Sequence, residues 1–164
     1  MRKKKVKQIL KSSYLNLQEA KNKLQGLGYV YDNELSTPES KVFLDKKGRP
    51  NIAFRRTKNI KNLGTDLALG LGLEKYDNRF REAKHLTQLV EDKYSRPANA
   101  FGSSLGGSLA ERSGAHGRII THNKGVSPFD IAKTIGKNQT DYRNKNDLVS
   151  LLALTQPYQF NNLR

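Results

Sequence analysis

The chain has 164 residues, of which 35% are hydrophobic and 27% are charged, so it suits one folded domain with a modest core better than a disordered protein. No apolar run approaches the length of a membrane-spanning helix, and the basic N-terminus lacks the apolar core of a secretory signal, so we expect a soluble, intracellular protein without a transmembrane segment. The absence of cysteine excludes disulfides and thiolate metal sites, and we expect neither a metal nor a cofactor.

The formal net charge of +15 is concentrated in the first part of the chain. Residues 1–61 hold sixteen Lys and Arg against five Asp and Glu, whereas residues 62–164 hold fourteen against ten. This asymmetry favours an anionic partner, such as nucleic acid, anionic lipid or an acidic protein surface. A highly solvated basic surface with no specific partner is the alternative interpretation.

The chain begins with a helical pattern. Apolar residues recur at helical spacing over residues 6–25, with a break expected near Ser12 and Ser13. Asn16 has a glutamate three residues later, which is the spacing of a capping box and predicts the start of a second helix. We interpret residues 1–28 as a basic N-terminal helical arm.

A hairpin and a longer helix follow. Lys41–Leu44 and Asn51–Phe54 are predicted strands joined by a turn in which Gly48 can adopt a positive φ angle. The glycine-punctuated segment Lys58–Lys75 is predicted to be a loop. Arg79–Tyr94 places its apolar residues on one face and is predicted to be a helix.

The next segment alternates strand and helix around a serine. Ala98–Phe101 and Arg118–Thr121 are predicted strands, and Leu105–Ser113 is a small-residue helix between them. At the first corner, Gly102-x-Ser104-x-Gly106 has the spacing of a nucleophile elbow, in which a serine occupies a strained strand-to-helix turn.

The C-terminal part continues the alternation. Phe129–Ile135 is a predicted short helix, Thr140–Asn144 a strand and Leu148–Leu154 a final short helix. The whole pattern predicts an α/β fold with a mostly parallel sheet, flanking helices and an antiparallel hairpin at the start of the sheet.

Three segments of the chain resemble segments of class 3 lipases, a family of α/β-hydrolases, and they occur in the same order as in that family. Phe101–Ala110 resembles the serine elbow, Ile52–Thr57 resembles the strand-end Phe-Arg-Gly-Thr/Ser segment, and Tyr142–Ser150 resembles the segment that bears the triad carboxylate. The compact lipase-like proteins encoded by large DNA viruses and their relatives are the type that the chain most resembles. The resemblance implies a small α/β-hydrolase-like domain over residues 29–164.

The resemblance also implies roles for individual residues. Ser104 would be the nucleophile, Asp147 would orient a histidine, and the N–H groups of Thr57 and Leu105 would form the oxyanion hole. The reaction would be the hydrolysis of an acyl ester or lipid. Two plainer interpretations stay open: Ser104 as part of a small-residue corner, and Asp147 as the N-cap of the helix that follows it.

The base of the triad is the missing part. Hydrolases of this fold order their triad as serine, carboxylate, histidine, but no histidine follows Asp147. We expect His85 to lie on a helix surface and His116 to be structural in a turn. His122 ends the strand beside that of Ser104 and is the candidate base within the chain, because neighbouring strands lie about 5 Å apart. Otherwise the base would come from another chain or from residues beyond this sequence.

Two further residues depart from the family pattern. Arg56 stands where the family has glycine beside the oxyanion donor, and Ser103 stands where family members often place histidine.

The resemblance gives the first functional hypothesis, a small serine esterase or lipase. The second is a catalytically incomplete lipase-fold protein, for example a minor virion component, whose basic N-terminal half contacts an acidic capsid protein, anionic lipid or nucleic acid. A sequence-specific nucleic-acid reader ranks last, because no such motif is present.

Overall fold

The computed structural model describes residues 3–55, 73–124 and 137–142, except for the side chains of residues 73–76. The helices within these residues are α1 (Lys3–Ser12), α2 (Leu17–Gly26), α3 (Leu73–Tyr94) and α4 (Leu105–Arg112). The strands are β1 (Val30–Asp32), β2 (Ser40–Leu44), β3 (Pro50–Phe54), β4 (Asn99–Ser103), β5 (Ile119–His122) and β6 (Gln139–Tyr142).

The strands form one sheet in the order of the chain. β1, β2 and β3 are antiparallel neighbours, whereas the pairs β3–β4, β4–β5 and β5–β6 are parallel. Helix α3 connects β3 to β4 in sequence, and α4 connects β4 to β5. The predicted α/β sheet with an antiparallel hairpin at its start is confirmed for the described residues, and its identification with the hydrolase family stays a prediction.

Helices α1 and α2 cover one face of the sheet. Val6 and Ile9 of α1 and Ala20 and Leu24 of α2 are fully buried. They pack in one apolar cluster with residues of the sheet and the segment before it, namely Tyr29, Tyr31, Phe43, Ala53, Phe101 and Ile120. Over its described residues, the segment predicted as an N-terminal arm is thus a layer of the same core.

The junction between these two helices has the features that were predicted from the sequence. The N–H of Glu19 donates to Oδ1 of Asn16 at 2.8 Å, and the N–H of Asn16 donates to Oε2 of Glu19 at 3.3 Å, which completes the predicted capping box. The hydroxyls of Ser12 and Ser13 donate to carbonyl oxygens three residues earlier, at 2.7 and 2.8 Å. These bonds end α1 locally, and the predicted break is confirmed.

Helices α3 and α4 cover the other face. Ala83 and Val90 of α3 are buried there, and Leu109 and Ala110 of α4 pack with them. The strands contribute residues that alternate with those of the first face, such as Ile52 in β3. Because successive side chains of a strand point to opposite faces, one short strand supports both layers.

Some predicted boundaries were wrong. Helix α3 begins at Leu73, so the predicted loop over Lys58–Lys75 extended too far, and the predicted start at Arg79 was too late. The last glycine of that segment precedes Leu73, and the residues that follow have ordinary helix propensity, so nothing delays the helix. The predicted helices Phe129–Ile135 and Leu148–Leu154 lie outside the described residues. Among the described helices, none combines the length and apolar character needed to cross a bilayer.

Candidate functional site

The predicted serine corner lies at the carboxyl end of β4. The strand ends at Ser103, the helix α4 begins at Leu105, and Ser104 is the single residue between them. Its backbone has φ 54° and ψ −127°, a conformation that L-residues rarely adopt and that costs about 1–3 kcal/mol. The strand, turn and helix predicted here are therefore confirmed, and the turn is strained at the serine.

The two glycines of the motif are required by close backbone approach. A β-carbon at Gly102 would lie 1.8 Å from the carbonyl oxygen of Gly106, and one at Gly106 would lie 2.5 Å from the carbonyl oxygen of Phe54. Both distances are far below van der Waals contact. The spacing Gly102-x-Ser104-x-Gly106 thus allows α4 to turn back tightly over β4 and β3.

Backbone hydrogen bonds hold Ser104 at the edge of the sheet. Its N–H donates to the carbonyl oxygen of His122 at 3.0 Å, and its own carbonyl oxygen accepts from the N–H groups of Gly107 and Ser108 at 2.8 and 3.2 Å. The side chain is half-buried and does not cap the helix. Leu105 is the first residue of α4, so its N–H is among those that a helix leaves without an intrahelical acceptor.

His122 ends β5 at the same edge of the sheet. It is aligned with Ser103 on the neighbouring strand, and Nδ1 of the imidazole lies 3.5 Å from Oγ of Ser103. The backbones of His122 and Ser104 are therefore joined, but the contact that the structure describes between imidazole and hydroxyl involves Ser103. Proton transfer between Ser104 and His122 stays a prediction.

The other two histidines lie elsewhere. His85 is exposed on α3. Nδ1 of the His116 imidazole lies 2.6 Å from Oε2 of Glu91. The backbone N–H groups of His116 and Ala98 both donate to Oε1 of Glu91, at 3.0 and 2.8 Å. Although burial opposes ionisation, the N–H groups of Ala98 and His116 and the imidazole hold the pKa of Glu91 below its usual range. His116 therefore has the structural role that was predicted.

A buried ion cluster beside α4 had no signal in the sequence. Nζ of Lys124 lies 2.8 Å from Oε1 of Glu111 on α4 and 3.3 Å from Oδ2 of Asp141 on β6, and all three side chains are at most 10% exposed. The hydroxyl of Thr121 and the amide of Gln139 donate to Oδ1 of Asp141 at 2.6 and 2.8 Å.

This cluster ties α4 to the ends of β5 and β6. Burial alone would lower the pKa of Lys124, but the carboxylates of Glu111 and Asp141 outweigh it and the pKa is raised. The cluster also lies against the first turn of α4, because a β-carbon at Gly107 would lie 2.8 Å from Cβ of Lys124. Its members come from α4, β5, β6 and the segment after β5, so only the folded topology brings them together.

Several predicted residues cannot be added to this geometry. Thr57 and Asp147, and the unusual Arg56, lie outside the described residues. Within the described ranges, no group of three or more histidine and carboxylate side chains is placed to hold a metal ion.

The chain was compared with protein-family models, with curated proteins and with solved structures, and it matches none of them.

Proposed function

We propose that the chain is a serine hydrolase of the class 3 lipase type, which cleaves an acyl ester or lipid with Ser104 as the nucleophile. The observation that carries the proposal is the strained backbone of Ser104, between the last residue of β4 and the first residue of α4. A serine held in this way is the arrangement by which α/β-hydrolases present their nucleophile.

The start of α2 shows an ordinary helix cap, with which the start of α4 at Ser104 can be compared. Asn16 caps α2 with an extended backbone, at φ −62° and ψ 172°, and its side chain accepts a hydrogen bond from the first turn. Ser104 precedes α4 with a positive φ angle and no such bond. A serine that served only as a cap would resemble Asn16, so the difference supports a nucleophile.

In the proposed reaction, Oγ of Ser104 attacks the acyl carbon and its proton passes to a base. The bond to the leaving alcohol then breaks, the base returns the proton to that alcohol, and water hydrolyses the acyl-enzyme in the same manner. The N–H groups of Leu105 and Thr57 would stabilise the negative oxygen of the transition state, aided by the N-terminal end of α4. Asp147 would orient the base.

Among the described residues, His122 is the candidate for that base. It lies at the same sheet edge, directly beside Ser103, and the nucleophile is the next residue along the chain. Nδ1 of the imidazole lies 3.5 Å from Oγ of Ser103, so proton transfer from Ser104 requires either Nε2 or a shift of the ring. A base from another chain is the alternative, and in that case His122→Ala should retain turnover.

Hydrolysis of a short nitrophenyl ester by the full chain tests this proposal. Ser104→Ala should abolish turnover and covalent labelling by a fluorophosphonate, because both need the same hydroxyl. Ser103→Ala is the matched control one residue away and should retain labelling. His122→Ala should lower turnover by about 10²–10⁴-fold if this histidine is the base. A wild-type protein that neither hydrolyses the ester nor reacts with the fluorophosphonate would overturn the proposal.

The second candidate function is a non-catalytic lipase-fold component, for example of a virion, that binds an acidic capsid protein, anionic lipid or nucleic acid. The observation that favours it is charge: the exposed side of α1 carries Lys4, Lys5, Lys7 and Lys11. Salt-sensitive binding to an acidic partner by a protein without esterase activity would favour this candidate over the first.

A further inference from the structure

A basic groove lies at the edge of the sheet opposite to Ser104. Its volume is about 510 Å³, within the range of roughly 300–1,000 Å³ that is typical of ligand sites. Residues of α1, of the segment before β1, of the turn 45–49 between β2 and β3, and of the segment before β5 line it. Because β3 and β5 begin here, the groove faces the amino ends of the parallel strands, whereas Ser104 follows the carboxyl end of β4.

The lining is strongly cationic. Three elements supply five positive charges, namely Lys5, Lys46, Lys47, Arg49 and Arg118. Asp45 is the one carboxylate of the lining, and it is already engaged: Nε and Nη2 of Arg49 lie 2.9 and 2.8 Å from its Oδ2, and the N–H groups of Lys47 and Arg49 donate to its Oδ1. The lining therefore holds no carboxylate to offset the other four cations.

The turn that bears three of these cations has a fixed shape. Gly48, at φ 70°, donates its N–H to the carbonyl oxygen of Asp45 at 2.8 Å. Nη1 of Arg96 donates to the carbonyl oxygen of Lys47 at 2.6 Å, which braces the turn from the β4 side and brings a sixth positive charge close to it. The charges are thus held on a preformed support rather than on a mobile tail.

Two of the lysines lie along the wall of the groove. Cε of Lys46 is so close to Gly28 that a β-carbon there would lie 2.9 Å away. Nζ of Lys5 lies 5.4 Å from the centre of the Tyr29 ring, within the range of a cation–π contact. Contacts of this kind reduce the side-chain entropy that must be lost when an anion binds.

The shape and surroundings favour nucleic acid over a membrane. Membrane-surface binding usually combines positive charge with inserted apolar side chains. Among the described residues, the exposed large hydrophobics are only Leu17, Val30 and Leu89, and of these only Val30 adjoins the groove in sequence. A concave surface with cations on three separate elements suits the regularly spaced phosphates of a single polyanionic strand.

We propose that this groove binds the phosphodiester backbone of a nucleic acid without reading its sequence. The inference does not depend on the hydrolase proposal, because the groove and Ser104 lie at opposite edges of the sheet. It gives the second candidate function a defined binding surface and a chemical class of partner.

Binding of a short fluorescent single-stranded oligonucleotide to the full chain tests this inference. The double variant Lys46→Glu/Arg118→Glu reverses two exposed groove charges, and Lys84→Glu/Lys137→Glu makes the same change in net charge at exposed positions outside the groove. The groove variant should bind at least about tenfold more weakly, and its slope of log affinity against log salt should fall by about 1.4, or about 0.7 for each lost phosphate contact. The control variant should retain the wild-type slope.

Each other outcome would overturn the inference. Equal weakening in the two variants would indicate attraction by net charge alone, and absence of oligonucleotide binding would remove the partner. A lipid surface would be indicated instead if the wild type bound vesicles rich in phosphatidylserine tightly but bound the oligonucleotide no more tightly than the groove variant does. Circular dichroism must show that the variants are folded. Should the charge reversal unfold the chain, Lys46→Gln/Arg118→Gln removes the same two contacts without adding acidic groups.

Discussion

At the scale of single residues, the corner at Ser104 depends on the absence of a side chain at Gly102. A β-carbon at Gly102 would lie 1.8 Å from the oxygen of Gly106 and 2.6 Å from the nitrogen of Gly107, and these backbone atoms can move only if α4 moves. We expect Gly102→Ala to lower the free energy of unfolding by about 3 kcal/mol or more. Unfolding in urea, followed by circular dichroism, measures the change.

Gly26→Ala is the matched control for this substitution. A β-carbon at Gly26 meets nothing within 4 Å, and Gly26 is the last residue of α2, where alanine is favoured by up to about 1 kcal/mol. The control should therefore be neutral or slightly stabilising. A Gly102→Ala variant as stable as Gly26→Ala would contradict the close approach of α4 to β4.

Lys41 makes stability depend on pH. Its side chain is fully buried in β2, and Nζ donates to the carbonyl oxygens of Thr37 and Pro38 at 2.8 and 2.9 Å. Burial, and secondarily the positive charge of Arg55, lowers the pKa of Lys41 from 10.5 to about 8. Between these two pH values the unfolded chain holds a proton that the folded protein has released, so stability rises with pH in that window.

The size of this effect can be measured against Lys41→Met. We expect the free energy of unfolding of the wild type, relative to that variant, to rise from pH 8 to pH 10.5 with a slope of at most about 1.4 kcal/mol per pH unit. Below pH 8 the difference should be constant, because the lysine is protonated in both states. A difference that is flat up to pH 10.5 would show that Lys41 keeps its ordinary pKa in the folded protein.

At the scale of elements, features formed by residues close in sequence could be predicted, whereas contacts between residues far apart in sequence could not. The capping box at Asn16 and the glycine spacing around Ser104 were predicted correctly, because each is fixed by residues at most four positions apart. The carboxyl-edge position of His122 also followed, since it needs only the order of two parallel strands.

The ion cluster around Lys124 shows why the rest could not be predicted. Glu111, Lys124 and Asp141 are separated by more than ten residues from one another, and no periodicity links them. They meet because α4 packs on β4 and β5 while β6 pairs with β5, which is a consequence of the whole fold. The cluster anchors α4 at its C-terminal end, while Gly102 and Gly106 allow the close approach at its start. The contact of Nδ1 of His122 with Oγ of Ser103 is likewise a matter of side-chain packing.

At the scale of the molecule, the strained serine and the basic groove lie at opposite edges of the sheet. The carboxyl edge holds the strained Ser104, and the amino edge holds the basic groove, with apolar layers on both faces between them. Helix α1 belongs to both the core and the groove, because it buries Val6 and Ile9 and presents Lys5 at the lining. The basic N-terminal segment is therefore part of the support for each proposed activity.

The integration of α1 into the core leads to a test by deletion. Removing residues 1–13 would take Val6, Ile9 and Leu10 from the cluster that covers Phe43 and Phe101. Each buried side chain contributes about 1.5–3 kcal/mol, so the three together approach the 5–15 kcal/mol that stabilises a typical domain. We expect the truncated protein to lose its cooperative thermal transition and to bind the dye ANS, which reports exposed apolar surface.

A charge control separates packing from electrostatics in this deletion. Lys4, Lys7 and Lys11 are exposed on α1, and replacing all three by glutamine in the full chain removes positive charge while leaving the apolar side of the helix unchanged. This variant should retain the wild-type transition to within about 1 kcal/mol, because substitutions at exposed sites rarely cost more than a few tenths each. A truncated chain that melts as cooperatively as this control would show that the sheet is stable without α1. The first helix would then be an accessory arm, and its lysines would act on a domain that folds without them.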